Sequence, residues 1–130
     1  MSAGPVRGSA LMAGLIGLAL AGTALAQEVP EGLAEAPGAY LRGLDKVAGA
    51  ASDITLSVGE SVEYGSLSVR LVGCRYPADD PASNAYAYLE ITDKALAKVV
   101  FSGWMIAQNP ALSALDHQRY DIWALRCKID

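Results

Sequence analysis

The chain has 130 residues, 52% of them hydrophobic and 18% charged, with ten Lys and Arg against fourteen Asp and Glu. That length holds one small domain and excludes a two-domain enzyme, an eightfold βα barrel or a doubly wound nucleotide-binding fold with room for a substrate domain. The acidic balance, a net charge of −4, argues against nucleic acid, because phosphate neutralisation needs clustered Lys and Arg.

Residues 1–26 read as a leader. One basic residue, Arg7, precedes an apolar run from Ala10 to Leu20, and Ala24-Leu25-Ala26 supplies the A-x-A ending of a signal-peptidase site. The run is broken by Gly14 and Gly17 and falls short of the roughly 20 apolar residues that a spanning helix needs, so cleavage after Ala26 is expected over an uncleaved anchor. No cysteine follows the run to carry a lipid, and no second apolar stretch occurs, so no stable membrane insertion is expected after cleavage. The chain from Gln27 onward carries nine basic and fourteen acidic groups, a net charge of −5.

Export bears on the two cysteines, Cys74 and Cys127. In an oxidising compartment they are expected to pair, and closing a loop of about fifty residues contributes about 4 kcal/mol in the chain-entropy picture. The competing reading, a redox or metal pair, lacks a C-x-x-C spacing and further ligands.

Residues 27–43 are rich in Glu, Ala, Gly and Pro and read as a flexible arm, followed by a single β-rich domain over residues 44–130. Ile54, Leu56 and Val58 alternate with Thr55 and Ser57 in the first clear strand, which Gly59 stops. A two-residue turn at Gly65-Ser66 pairs Tyr64 with Leu67 and Val62 with Val69, placing four apolar side chains on one face, and glycine at its first position suits a type II′ turn. A similar turn at Gly59-Glu60 would set Val58 against Ser61 and Leu56 against Glu63, so a kink or a switch between sheets is expected there.

The next strand runs from Leu67 to Cys74, and Arg75 to Ser83 reads as a polar loop. From Asn84 to Ile91 the pattern alternates again, with Ala85, Ala87, Leu89 and Ile91 on one face and Tyr86, Tyr88 and Glu90 on the other. A turn at Thr92 to Ala97 leads to a strand from Lys98 to Met105. Asn109 and Pro110 read as N-cap and first residue of a short helix ending near His117. The last strand, Tyr120 to Cys127, is expected to share one face among Trp123, Leu125 and Cys127. The architecture is therefore all-β and mainly antiparallel: a small sandwich or open barrel of five to seven strands with one short helix.

Several constellations invite a chemical reading. His117, the only histidine, follows Ser113 by one helical turn and has Asp116 and Asp121 nearby, but a serine inside a helix lacks a strained nucleophile turn and an oxyanion hole. A histidine closing a helix is the expectation there. Asp79, Asp80 and Asn84 fit no calcium-loop spacing, and Glu90 with Asp93 or Asp121 as a glycosidase pair gives way to surface charge. No metal or cofactor is called for. The aromatic residues offer more: Tyr86 and Tyr88 form a stripe able to bind a peptide or a sugar, and Trp104, after Gly103, is a candidate to join them, although core burial of Trp104 and Trp123 is the favoured expectation.

The words Ser102-Gly103-Trp104-Met105, Asn109-Pro110-Ala111-Leu112-Ser113-Ala114-Leu115 with His117, and Tyr120-Asp121-Ile122-Trp123 with Cys127 carry a resemblance. Leu44-Asp45-Lys46, Val58-Gly59-Glu60, Tyr64-Gly65-Ser66-Leu67, Cys74 and Ala87-Tyr88-Leu89-Glu90-Ile91 belong to it too. Over residues 41–128 the chain resembles the exported bacterial family known as domain of unknown function 2155. The resemblance implies an alphaproteobacterial cell-envelope protein with Cys74 and Cys127 paired, and it carries no assigned activity. The functional expectation is a non-catalytic periplasmic module that binds or helps assemble an envelope protein. A domain that binds peptidoglycan or another polysaccharide is the alternative, and a small hydrolase the remote one.

Overall fold

The computed structural model describes residues 29–130; the expected leader and its expected cleavage site lie outside the described residues. Eight antiparallel strands form two sheets. In the first, β1 (Leu33–Ala36), β5 (Leu67–Pro77), β6 (Tyr86–Asp93) and β7 (Lys98–Ile106) follow one another, and β4 (Ser61–Tyr64) shares the β5 edge with β1. In the second, β2 (Gly38–Asp45) lies between β3 (Ala50–Ser57) and β8 (Tyr120–Lys128). The sheets stack as an open sandwich and do not close into a barrel.

Alternation places the core between them. Leu67, Val69 and Leu71 of β5, with Ala87, Leu89 and Ile91 of β6, face Ala39, Leu41, Ile54, Leu56, Ile122 and Ala124 of the second sheet. The hairpin at Gly65-Ser66 has the expected register, Tyr64 opposite Leu67 and Val62 opposite Val69. Gly65 takes φ +59°, and a Cβ there would overlap the Tyr120 ring and hydroxyl. At Gly59 (φ +91°) the chain leaves β3 for β4 and changes sheets, the second of the two alternatives expected where a hairpin would pair poorly.

Three expectations change. The arm foreseen over residues 27–43 is strand from Leu33 onward: Leu33–Ala36 pairs with Cys74–Pro77, and Gly38–Asp45 becomes the central strand of the second sheet. Pro37 does not interrupt a regular element there; it marks the change of sheet between β1 and β2, where its missing N–H leaves no ladder bond unmade. The count consequently rises to eight strands.

The helix after Asn109 shrinks to a single 3-10 turn, Pro110–Leu112, and Asn109 makes no side-chain capping bond. The chain is extended again by Ser113 (φ −150°, ψ 95°). On β8, the bulge at Leu125 puts Ala124 opposite Leu41 but Arg126 opposite Tyr40, so the inward set is Tyr120, Ile122, Ala124 and Cys127. Trp123 accordingly sits opposite Arg42 on the outer face, half-buried, rather than beside Cys127.

The disulfide forms between β5 and β8 and so ties one sheet to the other, with a Cα–Cα distance of 5.8 Å and a sequence separation of 53 between the cysteines. Replacing both cysteines by Ala is expected to lower the unfolding free energy by about 4 kcal/mol, read as a lower urea midpoint with a steeper slope, since the unlinked denatured chain exposes more surface. Gly65→Ala combines a left-handed φ with overlap at Tyr120, and about 1–3 kcal/mol of destabilisation is expected in the same titration.

Candidate functional site

Two constellations hold the chemistry-bearing side chains. One is the loop end around His117; the other is the outer face of the first sheet.

At the loop end, His117 Nε2 lies 2.8 Å from Asp93 Oδ2, while its Nδ1 accepts from the Arg119 N–H at 3.0 Å and the Tyr120 N–H at 3.2 Å. Accepting twice at Nδ1 assigns the proton to Nε2, which donates to Asp93. Both ring nitrogens are thus committed, and no lone pair is left to activate Ser113; the serine–histidine hydrolase arrangement is not formed. Nor does His117 close a helix. It ties the loop before β8 to the β6–β7 turn, where Asp93 Oδ1 accepts from Ala95 N–H at 2.9 Å and Leu96 N–H at 3.3 Å. The His117 N–H, more than any other partner, holds the Asp93 carboxyl below its ordinary range.

Asp45 fastens the same end from the second sheet. It accepts two guanidinium bonds from Arg119, at 3.1 and 2.9 Å, and Oδ1 accepts from the Val47 and Ala48 N–H groups. Lys46 Nζ donates to the His117 carbonyl at 2.6 Å. The Tyr64 and Tyr120 rings meet edge to face at 5.6 Å, and His117 lies over Tyr120 at 5.4 Å. This constellation is a fastening of three connections.

The remaining carboxylates do not gather. Glu90 meets Arg70 at 3.4 Å on the outer face, Asp93 points inward, and Asp121 lies on the second sheet beside Lys46 at 3.9 Å. Asp80 serves turn geometry, its carbonyl accepting from Ser83, and Asn84 Oδ1 accepts from the Ala85 and Gln108 N–H groups. Among the described residues no cluster of three or more His, Cys, Asp or Glu is placed to hold a metal.

The outer face of the first sheet holds the aromatic residues. Register puts Gly73, Tyr88 and Trp104 in one row across β5, β6 and β7, and Glu35, Arg75, Tyr86 and Ile106 in the next row, which begins on β1. Tyr88 and Trp104 meet edge to face, centroids 5.2 Å apart and planes at 88°, and the Arg75 guanidinium lies 5.2 Å from the Trp104 ring centre. Tyr86 sits one row away, where its hydroxyl accepts from Asn84 Nδ2 at 3.2 Å. Tyr88 and Trp104 are brought together; Tyr86 borders them. Core burial of the tryptophans, favoured from the sequence, does not occur: Trp104 and Trp123 are both half-buried on outer faces, because strand register and the Leu125 bulge turn them outward.

Beside this pair a cleft of about 380 Å³ opens at the β5 edge, lined by Pro37, Val58, Val72, Gly73, Arg75 and Tyr88 among others. Its cause is local. β4 pairs with β5 as far as Arg70 and pairing with β1 resumes only at Cys74, while a bulge between Leu71 and Gly73 pushes Val72 out to 40% exposure. A Cβ placed on Gly73 would meet nothing within 4 Å. Arg75, Val72 and Gly73 are the site residues that sequence reading missed, since Arg75 was taken into a loop. The available signal was Gly73 itself, a glycine in an alternating strand of the kind that marks a bulge.

Residues 39–127 match the family model described as "Uncharacterized protein conserved in bacteria (DUF2155)", and the chain belongs to that family. It is also similar to "Uncharacterized protein RP359" of Rickettsia prowazekii (strain Madrid E), 28% identical over 87 residues, which cover 65% of this chain and 56% of that relative. No solved structure matches.

The loop fastening has a pH signature. Asp45 is lowered to about 2, chiefly by the Arg119 hydrogen bonds, so its stabilisation is present above the ordinary carboxylate value of 3.8 and is lost as pH falls through about 2. Arg119→Ala is expected to lower the urea midpoint at about pH 5 and to shrink the further loss at about pH 2.5 relative to the unmodified protein.

Proposed function

We propose that this protein is a non-catalytic module of the bacterial periplasm that binds, or helps to assemble, an envelope protein through the outer face of its first sheet. One observation carries the reading: Tyr88, Trp104 and Arg75 stand together outside the core, at the rim of a cleft. Trp, Tyr and Arg are the residue types that dominate protein–protein interfaces. The perpendicular rings favour a protein over a glycan, because sugar stacking needs an open aromatic face and Tyr88 presents its ring at right angles to Trp104.

The periplasmic location is supported by the leader pattern ending at Ala26 and by the pairing of the two cysteines. Among the described residues no helix is long and apolar enough to cross a membrane.

Cross-linked affinity capture of the tagged protein from its own envelope, followed by mass spectrometry, tests both parts. One stoichiometric envelope protein is expected, and the tagged chain itself is expected to begin at Gln27. The Tyr86→Ala/Tyr88→Ala variant is expected to weaken capture about thirtyfold, as for loss of one hot-spot contact of about 2 kcal/mol. Undiminished capture by that variant, at an unchanged melting temperature, refutes this face as the contact. Recovery of wall fragments alone would turn the reading to a glycan.

A further inference from the structure

The cleft beside Gly73 is built to take one particular kind of ligand. Arg75 and Glu35 stand directly opposite each other on β5 and β1, the position in which unlike charges ordinarily pair. They do not: no carboxylate of the described residues lies within 4 Å of Arg75, and its guanidinium instead leans across β6 to the Trp104 ring on β7. Arg42, Arg70 and Arg119, by contrast, each hold a carboxylate at 2.7 to 3.4 Å. Among the described residues the Arg75 guanidinium donates no hydrogen bond, so its planar fork of N–H groups is available for bidentate capture of a carboxylate.

Next to the guanidinium lies open apolar space. Val58 and Val72 are 44% and 40% exposed, Pro37 lines one side, and a Cβ on Gly73 would meet no atom within 4 Å beyond its own chain neighbours. About 380 Å³ accommodates one large side chain with its flanking main chain. Resting on the protein-binding reading above, we infer that the partner is engaged through an extended segment in which a large apolar residue enters the cleft over Gly73 and an adjacent Asp or Glu is held by Arg75. Glu35, the cross-strand neighbour of Arg75, repels the acidic residue and so moderates the affinity.

Panning a displayed random heptapeptide library on the oxidised full chain, then measuring a synthetic consensus peptide by fluorescence anisotropy, tests this. The unmodified protein is expected to enrich a large apolar residue next to Asp or Glu. Arg75→Glu is expected to weaken the acidic consensus about tenfold or more and to select Lys or Arg at the same position. Gly73→Val places a branched side chain on the cleft floor, where a Cβ meets no atom within 4 Å, and is expected to weaken enrichment at least tenfold at an unchanged melting temperature, while Glu35→Gln tightens the acidic peptide severalfold. Apolar peptides enriched without an acidic preference, or a consensus indifferent to Arg75→Glu or Gly73→Val, overturn the inference and leave the protein-binding surface standing. Enrichment of no peptide also overturns it, and binding of wall fragments in place of peptides overturns the surface reading as well.

Discussion

Strand β5 has to serve two sheets' worth of chain with one edge. Its eleven residues are longer than either neighbour on that side, since β4 and β1 contribute four residues each. Between them the chain changes sheets twice, at Pro37 and at Gly59, and both crossings lie beside the Val72 bulge. A gap at this place is the geometric consequence of two short strands sharing one long one. Cys74 sits at the end of that gap, and its bond to Cys127 holds the sheets together where edge pairing is interrupted. The cleft and the clip are thus two results of a single topological demand.

The opposite end of the sandwich is closed by polar chemistry. A fixed histidine tautomer, the buried Asp93 and the Arg119–Asp45 pair bind the β2–β3 and β6–β7 turns to the loop before β8. Gly43 and Gly65 make room for the Tyr64 and Tyr120 rings, whose edge-to-face contact caps the core at that end. With one end fastened and the other carrying an unfilled apolar cleft flanked by unpaired charge, the division between scaffold and working surface follows from which polar groups are already satisfied.

The residues of the working face differ in how they could be recognised. Tyr86 and Tyr88 were legible as the face opposite Ala85, Ala87, Leu89 and Ile91, because strand side chains alternate with a period of two, while the absence of a second layer over them among the described residues came from the fold. Trp104 was not, since a large aromatic in a small domain is ordinarily core, and only pairing with Tyr88 turns it outward. Arg75 was hidden by the extension of β5 past Cys74, which is held by β1, itself read as an arm from its Glu, Gly and Pro content. His117 was misread for a related reason: Asn109-Pro110 signals a helix start, yet a bond to Asp93, 24 residues away in sequence, is made by extended chain instead.

By itself the sequence determined the all-β class, the Gly65-Ser66 hairpin with its register, the absence of a simple hairpin at Gly59 and the pairing of Cys74 with Cys127. These rest on local alternation, turn chemistry and cysteine arithmetic, which need no knowledge of what lies across the sheet. Only the tertiary structure decided that residues 33–36 and 38–45 are strand, that the Leu125 bulge turns Trp123 outward, and that the Arg75 guanidinium lies by the Trp104 ring beside an open cleft. Each of these depends on partners distant in the chain, through strand pairing and bulges that shift side chains from one face to the other, and a one-residue shift leaves no mark in a local pattern.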